Sequence, residues 1–580
     1  MMSRRLILLC LALAVCGSLP AQTSASSPAA RHHPWWRNAV IYEVYPRSFA
    51  DSNNDGLGDL NGIASRMDYL EALGVDAIWI TPCYPSPQKD FGYDISDYTN
   101  IDPMYGTLAD FDHLIEQARQ HHIRVLMDFV PNHTSDQNPW FLDSRSSRTS
   151  AHRDWYIWRD GKGPGLPPNN WISDFGGSAW TWDAKTGQYY YHYFEAAQPD
   201  LNWRNPVVEQ AMFNVARFWF DRGVAGFRLD AVDTLFEDPG LHDNPYVNGE
   251  MVNRYNDNLP ENHTVLRRLR SLSNRYDAVL LGETWTDNIS QLRQYYGDRD
   301  DEIQLPMNFM FATINTLSAP KFRHQIDSIE SSGEWPVFVI TNHDMERSYN
   351  RYGDGVHNDQ IARLMAALYL TLRGTAVMYY GEEIGMRNND PTRLQDVLDP
   401  LGRMDWPKNK GRDGERTPMQ WSTAPNAGFT AGKPWLPIPA SYRNYNVATE
   451  LRDPDSILNF YKALLRMRRD NPALADGDYV DCAPDDPNIL CFLRSSGNHS
   501  VLVALNLSNQ TQTLSLDLDR YGWKEGKQTT LLTTMKEPPA NLRHARLDPF
   551  AVVIVQSDGH NHAFVDGPPP SASALRSNKP

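Results

Sequence analysis

The sequence predicts an α/β protein: a TIM-type (β/α)8 barrel with an inserted lobe after strand 3 and a C-terminal all-β sandwich domain. Three observations predict it. Short, continuously apolar runs alternate with stretches of helical periodicity, the pattern of parallel strands buried on both faces and crossed over by helices. About eight such runs occur, which favours a closed barrel over an open sheet. Beyond residue 478 the helical stretches stop and short β-rich runs follow one another.

The runs lie at 39–45 (AVIYEVY), 75–80 (VDAIWI), 123–130 (IRVLMDFV), 224–229, 279–281, 337–341 (VFVIT) and 376–380, with a weaker one at 304–311. Between the third and fourth, residues 134–199 are rich in Gly, Pro, Trp and Tyr. That is too long for a connection, and an inserted lobe is expected there. Asn205 followed by Pro206 predicts an N-cap and a first helical position. Val207, Val208, Ala211, Met212, Val215, Ala216 and Trp219 then recur at helical spacing, and Gly223 stands where the helix should stop. Residues 361–372 read as a second clear helix. A late insertion is expected at 387–450, after the last strand. The barrel then occupies 34–133 and 200–477, the sandwich 478–557, and a polar Pro/Ser-rich tail, expected to be disordered, 558–580.

The first 22 residues read as a secretory signal peptide. Arg4 and Arg5 precede an apolar stretch at 6–16, and small and polar residues follow. The mature protein is expected to be exported, periplasmic or extracellular, as a monomer or homodimer with no membrane partner. A formal net charge of -16 repels phosphate backbones, so no nucleic-acid partner is expected. Of the five Cys, Cys10 and Cys16 leave with the signal. Cys482 and Cys491 either pair across a hairpin or stay, with Cys83, as buried thiols. No CxxC or HExxH occurs, which argues against a thiol-based zinc site.

Barrel enzymes work at the C-terminal ends of their strands. Here those ends carry charge. Strand 3 ends in DFVPNH (128–133), strand 4 in GFRLDAV (226–232), strand 5 in GETW (282–285) and strand 7 in TNHD (341–344). A lone Asp or Arg at a barrel rim is more often a satisfied ion pair. Carboxylates at four strand ends, two beside His and one beside Arg, point to chemistry instead. Glycoside hydrolysis needs one carboxylic acid at the leaving oxygen and one carboxylate at the anomeric carbon. A neighbouring Arg keeps the second one ionised.

These motifs resemble the four signature regions of the α-amylase superfamily, glycoside hydrolase family 13. GYDISDY (92–98) and RTPMQW (416–421) resemble its α-glucosidase and oligo-1,6-glucosidase branch. The resemblance implies Asp230 as nucleophile, Glu283 as general acid/base and Asp344 as the third carboxylate. It implies Arg228 beside the nucleophile, and His133 and His343 as sugar ligands. It also implies Asp94 gripping the non-reducing end of the terminal glucose with an arginine of the late insertion, Arg412, or Arg416 as the fallback. An exo-acting, retaining α-glucosidase acting on a small oligosaccharide is expected. Ala231, where the family's α-1,6 enzymes favour Val, leans the reading to α-1,4, with transglucosylation open to any well-held acceptor. The rivals are an oligo-1,6-glucosidase, a sucrose- or trehalose-active relative, and a non-catalytic barrel resembling the amino-acid transporter heavy chains.

A second signal is DSNNDGLGD at 51–59. Asp51, Asn53, Asp55 and Asp59 fall at positions 1, 3, 5 and 9 of a Ca²⁺-wrapping loop, with Gly56 at 6 and the Leu57 carbonyl at 7. The bidentate Glu of an EF-hand is absent, because position 12 is Gly62. The loop is expected to hold a structural Ca²⁺, with Mg²⁺ as the alternative. A polar Asx turn is the plainer reading.

Overall fold

A computed structural model of the chain describes residues 33–163, 165–521, 523 and 528–558. The expected signal peptide lies outside the described residues. So does the expected tail, except residue 558, which ends the last strand.

Eight parallel strands make one sheet: β1 Val40–Val44, β2 Ala77–Ile80, β3 Arg124–Phe129, β4 Gly226–Leu229, β5 Val279–Gly282, β6 Leu305–Pro306, β7 Val337–Val339 and β8 Thr375–Tyr379. Their order is β6-β5-β4-β3-β2-β1-β8-β7. First and last strands therefore pair, with Ile41 opposite both Ala77 and Val377. Among the described residues no ladder joins β6 to β7, so the barrel is nearly closed. The weak run at 304–311 shrinks to two residues, and its Pro306 has no N–H to offer a neighbour. All five residues of β1 and of β8 are buried. This is why these strands read as largely apolar runs.

The helix Pro206–Asp221 begins as its sequence dictates. The Asn205 side chain accepts from Val207 N and Pro206 follows. Gly223, at φ +95°, comes just after the C-cap residue Arg222, in a conformation a side chain would strain. Trp219, on its buried face, is wholly enclosed and donates from its indole to the Tyr98 carbonyl at 2.8 Å.

The inserted lobe holds three short antiparallel strands, Trp158–Arg159, Trp180–Asp183 and Gln188–Tyr191. They pack through Trp171, Trp180 and Tyr191. A further excursion after β4, with a hairpin of Tyr246–Val247 and Glu250–Met251, is not visible in the sequence pattern. It ties to the lobe through Asn170 Nδ2 to the Asn244 carbonyl (2.9 Å) and Trp171 Nε1 to the His242 carbonyl (3.0 Å). The C-terminal part has a five-stranded antiparallel sheet and a two-stranded one, with Leu502, Ala504, Leu514 and Leu547 in a common apolar cluster. Arg494 in that sheet donates to the Thr371 carbonyl at 2.7 Å and so fastens it to the barrel. Cys83, Cys482 and Cys491 are buried thiols. Among the described residues no helix is long and apolar enough to cross a membrane.

Candidate active site

Parallel strands end on one face, and the register sets what meets there. Asp128 of β3 stands opposite Arg228 of β4. Glu283 follows the last residue of β5, and its backbone N donates to the Leu229 carbonyl. A cavity of about 1000 Å³ opens at these ends. Asp230, Glu283, Asp344, His133 and Arg412 line it, and Arg228 and His343 lie buried behind its wall.

Arg228 organises the centre. Its Nη1 donates to Asp230 Oδ1 at 2.6 Å and to Asp128 at 3.1 Å, and its Nη2 to Glu283 Oε2 at 2.5 Å. One guanidinium thus faces three carboxyl groups in a site removed from water. Three full negative charges there would repel one another, so the charge on each opposes the charge on the next. Burial pushes Asp128 up to about 6 against the pull of Arg228, with Glu283 adding to the rise. Trp285 Nε1 donates to the other Glu283 oxygen at 3.0 Å, and the Ala231 N–H reaches Oε2 at 3.2 Å. Ala231 itself sits at φ +45°, a conformation that costs an L-residue energy and that local packing must hold.

The opposite wall is a chain of charge around Asp344. Arg412 Nη1 donates to Asp344 Oδ1 at 3.0 Å, and Arg416 Nη2 to the same oxygen at 2.6 Å. Burial disfavours its charge, but His343, Arg412 and Arg416 together hold Asp344 well below the usual carboxylate range. Of the two arginines only Arg412 reaches the cavity.

The structure corrects one sequence assignment. Asp94 does not face the cavity. It is fully buried and accepts from Ser86 Oγ, Lys89 N and Asp90 N. Asp90, four residues earlier, meets Arg412 Nη2 at 2.6 Å and lines the cavity. Both flank the same Gly92–Tyr93 pair, and spacing cannot tell them apart. Asp94 turns inward to cap the N–H groups of its own loop, and this leaves Asp90 for the arginine. Gln198 of the lobe then bridges Asp90 Oδ2 (3.3 Å) and His133 Nε2 (3.1 Å). Burial pushes His133 down to about 3, so its imidazole is neutral.

Asp90, Tyr93 and Gln198 were missed in sequence. Tyr93 is the more informative: its hydroxyl lies 2.7 Å from His343 Nε2 and 3.1 Å from Asp128 Oδ2, linking two strand ends. It stands inside GYDISDY, which was the one signal that could have found it.

In the loop 51–59, Asp51 accepts from Asn53 N, Asn54 N and Gly56 N. Asp55 accepts from Leu57 N. Asp59 accepts from Ser52 and Gly62 N, capping the helix Leu60–Ala64. Position 12 is Gly for a steric reason: a Cβ on Gly62 would lie 1.9 Å from the Ala50 carbonyl oxygen. The donors suit a hard cation. All are oxygens, three are carboxylates within nine residues, and no ion pair among the described residues involves Asp51, Asp55 or Asp59. Their carboxylates do not converge, however. Among the described residues the trio whose ligand atoms lie within 4.8 Å of one another is the surface group Asp68, Glu71 and His121.

A family model described as alpha amylase, catalytic domain, matches residues 43–477, and one described as maltogenic amylase, C-terminal domain, matches 482–554. A probable alpha-glucosidase of Rhizobium meliloti (strain 1021) is 42% identical over 512 residues, 85% of this chain and 93% of the relative. An oligo-1,6-glucosidase of Heyndrickxia coagulans is 38% identical over 530 residues, 84% and 95% of the two chains. The crystal structure of an alpha-glucosyl transfer enzyme superposes with a TM-score of 0.84 at 41% identity, covering 91% of this chain and 100% of that one.

Proposed function

The chain belongs to the α-amylase family of glycoside hydrolases, and from that membership we propose that it is an exo-acting, retaining α-glucosidase cleaving terminal α-1,4-linked glucose from maltose and short oligosaccharides. One observation carries the reading. Arg412 bridges Asp90 and Asp344 in the cavity lining, beside the two carboxyls that share Arg228, and we read this bridge as the end wall of the site. A pocket shut at that point admits the end of a chain and not its middle.

The reading assigns each side chain a task. Asp230, ionised beside Arg228, attacks the anomeric carbon. As the glycosidic bond breaks, Glu283 gives its proton to the leaving oxygen, and a β-glucosyl ester forms on Asp230. Water then attacks the same carbon while Glu283 takes back a proton, the ester bond breaks and the Asp230 carboxylate leaves. Two inversions give net retention. Both carboxyls lie on adjacent nitrogens of one guanidinium, the close spacing that covalent capture needs. Asp344 and His133 hold the hydroxyls of the terminal ring, and His343, buried behind the wall, supports Asp344 from its Nε2. Trp285 is 42% exposed and stacks on Phe309 with centroids 4.2 Å apart. It offers a flat face to the leaving sugar. Eleven carboxyl side chains line the cavity against Lys408, Lys410 and Arg412, which favours neutral over phosphorylated substrates. The name of the alpha-glucosyl transfer enzyme supports transfer to acceptors other than water.

Linkage is tested at Ala231. Its methyl lies next to the nucleophile, where bulk would obstruct a +1 ring joined through its secondary O4. An α-1,6 link has an extra rotatable bond and can pass such bulk. Wild type is expected to prefer maltose over isomaltose, and Ala231→Val to shift the ratio of kcat/KM toward isomaltose by about 1–3 kcal/mol. The Tm of that variant falls too, because a β-branched residue fits φ +45° badly. A wild-type preference for isomaltose, or an unmoved ratio, would return the oligo-1,6-glucosidase reading.

The same proposal places one Ca²⁺, or Mg²⁺, in the loop 51–59, held by Asp51, Asn53, Asp55, the Leu57 carbonyl and Asp59. It would draw the three carboxylates together and fix the start of the helix Leu60–Ala64. At a free ion concentration of 100 times its Kd it adds about 2.7 kcal/mol of stability. Chelation and Asp55→Ala are each expected to lower the Tm and to leave kcat at low temperature unchanged. Absence of metal from purified protein, with a melting curve indifferent to chelator, restores the Asx turn. The reading also carries the exported location, an oligosaccharide as partner in place of nucleic acid or membrane, and a monomeric or homodimeric state.

A further inference from the structure

Glu43 belongs to no motif. It lies on β1, is fully buried, and its Oε1 stands 2.6 Å from His343 Nδ1 and 3.3 Å from His343 N. We propose that Glu43 is a positioning residue of the sugar-cleaving site: it keeps a proton on the buried Glu43–His343 pair and so presents His343 Nε2–H as a donor beside Asp344. This rests on the reading above, in which Asp344, with His343 beside it, holds a hydroxyl of the terminal ring.

The partners of each atom support it. Glu43 Oε2 is buried with no hydrogen-bond partner. A buried carboxylate with a bare oxygen is costly. A carboxylic acid donating from Oε1 to Nδ1 leaves only a carbonyl oxygen bare. A neutral imidazole that accepts at Nδ1 carries its proton on Nε2. There Nε2 meets the Tyr93 hydroxyl at 2.7 Å and Asp344 Oδ2 at 3.2 Å, and the Tyr93 hydroxyl in turn donates to Asp128 at 3.1 Å. Every donor then has an acceptor. The ring cannot turn away, since Tyr93 stacks on it at 5.5 Å and 5°.

The surrounding charges act in the same sense. Burial pushes Glu43 well up, Asp344 and Asp128 add to this, and Arg228 opposes it. Burial holds His343 down, with Arg416, Arg228 and Arg412 adding and Asp344 opposing. Tyr379 also faces Glu43. Moving the proton within the pair, to a carboxylate and an imidazolium, keeps the Nε2 donor. Losing it altogether, as pH rises, can leave Nε2 as a bare acceptor against the Asp344 carboxylate.

The experiment measures kcat/KM for α-glucosyl fluoride against pH. Fluoride needs little protonation to leave, so the acid role of Glu283 weighs little on this rate. Wild type should fall at alkaline pH. Glu43→Gln, whose amide N–H donates to Nδ1 at every pH, should stay close to wild type at neutral pH and lose that fall. Glu43→Leu should lose on the order of 10²-fold from a misplaced imidazole. An alkaline limb shared by wild type and Glu43→Gln, its absence from wild type, or full activity in Glu43→Leu each overturns the proposal. If Glu43→Leu does not fold, the Gln profile alone decides. No turnover of the fluoride by wild type would instead remove the α-glucosidase reading itself.

Discussion

Asp230→Asn is expected to fold normally and to hydrolyse maltose at background rate, a loss on the order of 10⁴-fold or more. The side chain keeps its shape and an oxygen for Arg228 Nη1, now 2.6 Å away. It loses the charge that makes it a nucleophile. No neighbour replaces it. Asp128 is held by Arg228, Tyr93 and Trp79 Nε1 and does not line the cavity. Asp344 is held by two arginines on the far wall. The fold tolerates the change because Arg228 retains two carboxyl partners, so no buried charge is left unpaired. Thermal melting and turnover measured on the same sample check both halves. Normal hydrolysis by the folded variant would falsify the assignment.

Glu283→Gln is expected to lose about 10²–10⁴-fold on maltose, with a much smaller first-step loss on α-glucosyl fluoride. The amide cannot protonate a sugar oxygen, but fluoride leaves without that help. The second step suffers as well, because no base removes the proton of the attacking water, and the glucosyl-enzyme accumulates as a burst. Azide needs no deprotonation. It attacks the anomeric carbon as the ester bond to Asp230 breaks, and α-glucosyl azide is released. Equal losses on both donors, with no effect of azide, would assign the proton transfer elsewhere.

The barrel and its catalytic trio were legible for a local reason. Each of Asp230, Glu283 and Asp344 sits within two residues of the end of an apolar run, or at most five for Asp344 after the short β7. In a parallel barrel that position alone fixes the face on which a side chain emerges. The pair Asp90 and Asp94 was not legible. Both are acidic, both flank Gly92–Tyr93, and what separates them is which backbone N–H groups the loop turns inward. Glu43 was hidden differently, as one polar residue in an apolar strand with its partner 300 residues away. The excursion after β4 left no periodic signal, since its hairpin has two residues per strand.

By itself the sequence determined the strand count, the order of the elements, the capped helix at Pro206, and the residue types delivered to the catalytic face. These follow from the periodicity of burial and from backbone chemistry a few residues long. Tertiary structure alone decided that one guanidinium is shared by Asp128, Asp230 and Glu283, that Arg412 meets Asp90, and that Glu43 stands behind His343. The physical reason is distance in the chain. Hydrogen bonds and charge coupling act over a few ångströms, and those ångströms are set by strand register and by insertions from remote parts of the sequence, which no local pattern records.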